Sequence, residues 1–161
     1  MGYQLIETIE VGSGGAASIE FTSIPQDGVD LLVKFSGRST NGANRIACTF
    51  NSGSFSWIYL LGNGSSASSN SGTNSSYVYL GDSDYTANTF GNTEIYIANY
   101  TSATDKSISV DAVNENNATE AIQVIHAVKA SMSQSITSLT LSGSANLAQY
   151  STASLYKITA D

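Results

Sequence analysis

"NATEAIQVIHAVKASMSQ", Asn117 to Gln134, is the stretch on which the fold class turns. Read with the helical period, Ala121, Ile122, Ile125, Val128 and Met132 line one face, and Thr119 stands where a cap belongs. Read with a period of two, Ile122, Val124, His126 and Val128 line one face of a strand. β-Branched residues are enriched here, and they suit a pleated surface better than a helix. The segments on both sides alternate with period two. We therefore read the stretch as a strand and the chain as all-β.

The same alternation runs outward in both directions, broken every few residues by Gly, Asn, Ser or Asp. Toward the N-terminus, "YQLIETIEV" (Tyr3 to Val11) reads as a strand ended by the Gly12-Ser13-Gly14-Gly15 turn. "ASIEFTSI" (Ala17 to Ile24) is expected to pair back on it, with Ile19 and Phe21 sharing a face. Pro25, the single proline, ends that strand because it has no N–H for a ladder. "VDLLVKFSGR" then puts Leu31, Val33 and Phe35 inward and Asp30, Lys34 and Ser36 opposite. "NRIACTFN", "SFSWIYLLG", "YVYLG", "NTEIYIANY" and "KSISVDAVN" follow, with "SITSLTLSG" and "TASLYKITA" beyond the opening stretch. "GNGSSASSNSGTNSS", residues 62–76, has no apolar side chain larger than Ala67 and reads as a flexible loop. There is no long internal repeat. The pattern predicts one domain over residues 1–161, an antiparallel jelly-roll-like β-sandwich of about ten short strands.

Composition narrows the partners. At 161 residues the chain is long enough to bury a core without disulfide or metal staples. Only 12% of residues are charged, about half the usual share, and Ser, Thr, Asn and Gly replace them. The net charge of −7, with six Lys+Arg and no basic cluster, argues against nucleic acid and against an anionic membrane surface. No run approaches the length of a membrane span, and "MGYQLIETIE" lacks the basic and apolar regions of a secretory signal. Cys48 is the only cysteine, so no intrachain disulfide can form. We expect synthesis in a reducing cytoplasm.

Chemistry-bearing residues are sparse. His126 is the only histidine and alternates with Ile122, Val124 and Val128, so a packed histidine is expected rather than a general base. Cys48 alternates with Ile46 and Phe50 and reads as a small core hydrophobe. Asp82 and Asp84 have a spacing that could begin a calcium loop but lack its further ligands, so we read a solvated turn. We expect no catalytic residue, metal or cofactor. The aromatics form the candidate surface: Trp57 with Tyr59, Tyr77 with Tyr79, and Tyr96 with Ala98 and Tyr100 each share a strand face. Ile58 and Leu60, Val78 and Leu80, and Ile95 and Ile97 lie opposite. If the aliphatic faces are core, the aromatics line an outer surface able to pack a partner protein or stack sugar rings; the equal alternative is a thick core in which aromatics and aliphatics each fill one sandwich layer.

Two stretches resemble structural proteins encoded by tailed bacteriophages. One is "YQLIETIEVGSGGAASIEFTSIPQDGVDLLVKFSGRST", Tyr3 to Thr40, with its Leu-Ile-Glu strand, Gly-rich turn, Ser-Ile-Pro-Gln and Ser-x-Arg-Ser. The other is "SITSLTLSGSANLAQYSTASLYKI", Ser135 to Ile158. The chain departs from the family look at Lys157, where a glycine is common, and at Asp27 and Gly28, where Tyr-Thr-Asp often follows Pro-Gln. The resemblance implies a non-enzymatic virion component of jelly-roll type. The leading expectation is a capsid decoration (cement) protein that stabilises the head, forms a homo-oligomer, often a trimer in this setting, and binds the major capsid protein. The alternative is a fibre or spike domain that contacts host-surface glycans. A hydrolase of cell-wall polysaccharide ranks last, because the 13 acids show no obvious pair in sequence.

Overall fold

The computed structural model describes residues 2–73, 76–79, 81, 83–115, 117 and 121–160. The deciding stretch is a strand over Ala121–Ser131, with Val124, His126, Val128 and Ala130 buried and the residues between them exposed. Among the described residues there are twelve strands and no helix. They are β1 (Gly2–Glu10), β2 (Ala16–Phe21), β3 (Asp30–Gly37), β4 (Arg45–Phe50), β5 (Ser54–Gly62) and β6 (Ala67–Thr73). The remainder are β7 (Ser76–Tyr79), β8 (Gly91–Ile97), β9 (Lys106–Glu115), β10 (Ala121–Ser131), β11 (Leu139–Leu147) and β12 (Thr152–Thr159).

These strands form two antiparallel sheets, a β-sandwich. The larger has eight strands in the order β1-β12-β3-β8-β9-β10-β5-β6, and the smaller has four in the order β2-β11-β4-β7. The chain crosses between sheets at β1–β2, β11–β12, β3–β4 and β7–β8, so strands of equal rank in the two orders are joined directly. The hairpins β5–β6 and β9–β10 lie wholly in the larger sheet and widen it beyond the smaller one.

Alternation translates into burial most fully in β9 and β10, while β3 supplies the centre of the core. Leu31, Val33 and Phe35 are at most 1% exposed and pack between the sheets against Ile19, Phe21 and Leu155. Each such side chain contributes roughly 1.5–3 kcal/mol of transfer free energy. Cys48 lies in the same core as expected, and burial pushes its thiol up to about 12, which keeps it protonated and inert.

Three expectations about the chain's course are corrected. First, β2 does not pair back on β1. β1 pairs with β12 and β2 with β11, because the Gly12 to Gly15 turn carries the chain across to the other sheet. Second, β2 ends at Phe21, before Pro25; Ser23 already has φ 54° and breaks the extended run. Pro25 instead supplies a carbonyl to the Tyr100 hydroxyl. Third, the expected loop over residues 62–76 contains β6, which pairs with β5 from Ser56↔Thr73 to Gly62↔Ala67. Its turn is fixed by Asn63 Oδ1, which accepts from the Ser65 and Ser66 amides at 3.2 and 2.8 Å. β6 buries almost nothing, so it leaves no apolar signature.

Candidate binding surface

Register decides which way the aromatics point. In the antiparallel ladder His126 lies opposite Tyr59, and Val128 opposite Trp57. Cross-strand partners share a face. Val124, His126 and Val128 face the interior, so Trp57 and Tyr59 must do so too. They stack with ring centroids 5.8 Å apart, and Tyr59 lies 5.3 Å from the His126 ring. Of the two open readings of this strand, the outer placement of Trp57 and Tyr59 is excluded: Ile58 and Leu60 line the outer surface, at 58% and 62% exposure. His126, 1% exposed, is held down to about 4 by loss of hydration, with the Arg45 charge adding to the effect. It is a neutral packing residue, as expected.

The other aromatic pairs also separate. Tyr96 is half-buried on the outer face and donates its hydroxyl to Asp30 Oδ2, while Asp30 Oδ1 accepts the Asn99 amide at 2.7 Å. That bond, reinforced by burial, pushes the Tyr96 phenol up to about 12. Tyr100 does not continue the face of Tyr96. Asn99 at φ 51° breaks the alternation and turns Tyr100 into the core, where it is fully buried. The backbone of Tyr77 and Tyr79 belongs to β7, opposite Ala47 and Arg45, but their side chains, like Leu80 and Asp82, lie outside the described residues. Asp84 is exposed, and no three His, Cys, Asp or Glu side chains cluster among the described residues.

The ladders line up two rows across the outer face of the larger sheet. One runs Leu5, Tyr156, Leu32, Tyr96, Ser109, Ala127, Ile58, Ser71. The next runs Ser154, Lys34, Glu94, Asp111, Ile125, Leu60, Ser69. At one end Tyr3 and Leu5 are exposed beside Tyr156; at the other, Ile58, Leu60 and Ile125 form an aliphatic patch, each more than half exposed. Polar and charged groups between them are engaged within the chain. Lys34 bonds Glu94, Gln123 bonds Asp111, and Lys129 meets Asp105 at 2.9 Å. Glu94 and Asp111 are the carboxylates that folding brings into register, and they lie on this open face already engaged by Lys34 and Gln123.

Between Tyr96 and Ile58 the side chains shrink to Ser107, Ser109 and Ala127, leaving a shallow recess of about 710 Å³. Hydroxyls of Ser56, Ser71 and Thr73 and the Lys129 ammonium border it. Such a face can exclude water against a broad partner, and its recess has the mixed apolar and hydroxyl lining that a sugar ring accepts. The aliphatic patch is half legible: the sequence puts Ile58 and Leu60 on one face, but only the register with His126 tells which face is outside. Lys106, a buried cation on β9, belongs to the scaffold, its ammonium donating to Ser102 O at 2.7 Å and to Thr104 O. No known protein family matches this chain, and neither a curated protein nor a solved structure is significantly similar to it.

Proposed function

We propose that the chain is a non-enzymatic bacteriophage virion protein, a self-associating capsid decoration (cement) protein made in the bacterial cytoplasm and carried on the head. The supporting observation is the open outer face, with exposed aliphatic ends and with the Lys34–Glu94 and Lys129–Asp105 pairs closed within the chain. Apolar area of this kind marks a protein-binding surface, and internally compensated charges cost less to cover than free ones. Many weak contacts of such a face, repeated over a shell, would resist internal pressure by multivalency.

The strand orders agree with this reading. We read β1-β12-β3-β8 facing β2-β11-β4-β7 as two interleaved Greek keys of jelly-roll type, with the two hairpins as additions, and this order supports the proposal. The segments that carry the sequence resemblance also meet in space, since β1, β12 and β3 are neighbours in one sheet and β2 and β11 in the other. Co-sedimentation with phage heads tests the proposal. The chain should bind at a fixed ratio, and Leu60→Asp combined with Ile125→Asp should abolish binding without altering the fold. Failure of the unaltered chain to bind, or undiminished binding by the double variant, would refute it.

The recess beside Tyr96 favours a second reading, a fibre or spike domain that grips host-surface glycan. In that case Tyr96→Ala should abolish a signal on a glycan array. An array with no binder removes this reading and leaves the first intact.

A further inference from the structure

Four strands end the two sheets: β1 and β6 in the larger, β2 and β7 in the smaller. A sheet edge presents N–H and C=O groups without partners, and proteins blunt it with bulges, charges, proline or brevity. β1 has a register break between Leu5 and Glu7 and carries Glu7 and Glu10. β2 carries Glu20, and its ladder with β11 breaks after Ser142. β7 spans four residues. β6 has none of these devices. Its seven residues, Ala67–Thr73, pair with β5 in unbroken register and include no charge and no proline. No described strand covers its outer side.

The edge also packs closely on its neighbouring strand. The Trp57 ring lies over Gly72, so close that an added Cβ would stand 2.5 Å from Cζ2. The bond from Asn63 N to Ser66 O closes the turn and sets the alternation of the ladder. Ser68, Asn70 and Gly72 then turn their backbone groups to β5, and Ser69, Ser71 and Thr73 turn theirs outward. Accordingly, the Ser71 amide donates to Asn70 Oδ1 at 2.8 Å, a local bond that a second strand can replace.

Charge identifies what pairs there. The chain carries −7, yet no charged residue stands between Arg45 and Asp82. Copies of the chain repel one another elsewhere, and this neutral end, with β6 at its tip, is where two can meet without opposing like charges. Small uncharged side chains let the backbones approach to ladder distance. We propose that β6 pairs antiparallel with β6 of a second copy, forming a twofold dimer in which the two larger sheets become one continuous sheet. An edge pairing with itself is isologous, which an antiparallel strand pair satisfies. The dimer would set two copies of the Ile58, Leu60 and Ile125 patch on one face, either side of the seam. The inference does not depend on the virion reading, since any partner of that face would meet it doubled.

Sedimentation equilibrium of the full chain tests it. The unaltered protein should sediment at twice the chain mass. Ser71→Pro deletes an outward amide without touching the β5 ladder, and Ser69→Lys sets a cation against its own copy. Each variant should raise the dimer dissociation constant at least about tenfold while melting like the parent. A single-chain mass or a trimer for the parent would overturn the proposal, and so would a folded variant that stays dimeric. Should Ser71→Pro fail to fold, Ser69→Lys, with its exposed side chain, decides the matter.

Discussion

Tyr100 shows how one side chain ties distant segments of this chain together. Its hydroxyl donates to Pro25 O and accepts the Gly28 amide at 3.2 Å, so it holds the Pro25-Gln26-Asp27-Gly28 corner against the end of β8. Tyr100→Phe leaves that carbonyl and amide without this partner and should cost about 1–3 kcal/mol in urea unfolding, with no change of fold. Beside it, Lys157 and Asp27 meet with both carboxylate oxygens 2.6 Å from Nζ. The two residues depend on each other, because the buried lysine stem needs an anion at its tip. His126 carries a pH signature. Its folded value near 4 lies below the ordinary 6.5, so the unfolded chain takes up the proton first as pH falls. Stability should drop between pH 6.5 and 4 through this residue, and His126→Phe should flatten that part of the pH profile of urea midpoints.

Among elements, the segment from Ser83 to Phe90 is clamped from two sides. Arg38, in the Ser-x-Arg-Ser motif, donates to Thr86 O, Thr89 O and Tyr85 O. Glu115 accepts from Thr89 Oγ1, the Asn117 amide, Thr86 Oγ1 and the Thr86 amide. These bonds, led by Thr89, hold the Glu115 carboxyl down to about 2 from an ordinary 4.5. A depressed carboxylate contributes above its unfolded value and is lost on acidification. Protection of the Thr86 amide from hydrogen exchange should therefore fall as pH drops from 4.5 toward 2, and Glu115→Gln should abolish the dependence. The Thr86 to Glu115 pairing spans 29 residues, so it is invisible to local reading. Strands with one buried face, such as β9 and β10, were legible because burial imposes alternation. β6 was not, since hydrogen bonds to β5 hold it and no side chain reports them. The direction of β5 was ambiguous for a related reason: both of its faces are apolar, and only its pairing with β10 separates them.

At the scale of the molecule, the sandwich has one thick core under the smaller sheet and an overhang where the two hairpins extend beyond it. β1 to β3, β11 and β12 build the first part together with β4, β7 and β8, and β5, β6, β9 and β10 build the overhang and its aliphatic patch. Energetics should separate the two. Phe35→Ala in the core should cost about 3–5 kcal/mol, whereas Leu60→Ser on the outer face should change stability by less than about 0.5 kcal/mol, both read from urea unfolding. Equal losses would mean that the outer face is not free. The virion role rests on that face being covered in the assembled particle rather than in the chain. Electron cryo-microscopy of intact phage particles tests it most directly. The account predicts this chain at fixed copy number on the outside of the head, with Ile58, Leu60 and Ile125 against a neighbouring protein. Its absence from the particle, or a position with that face open to solvent, would contradict the account.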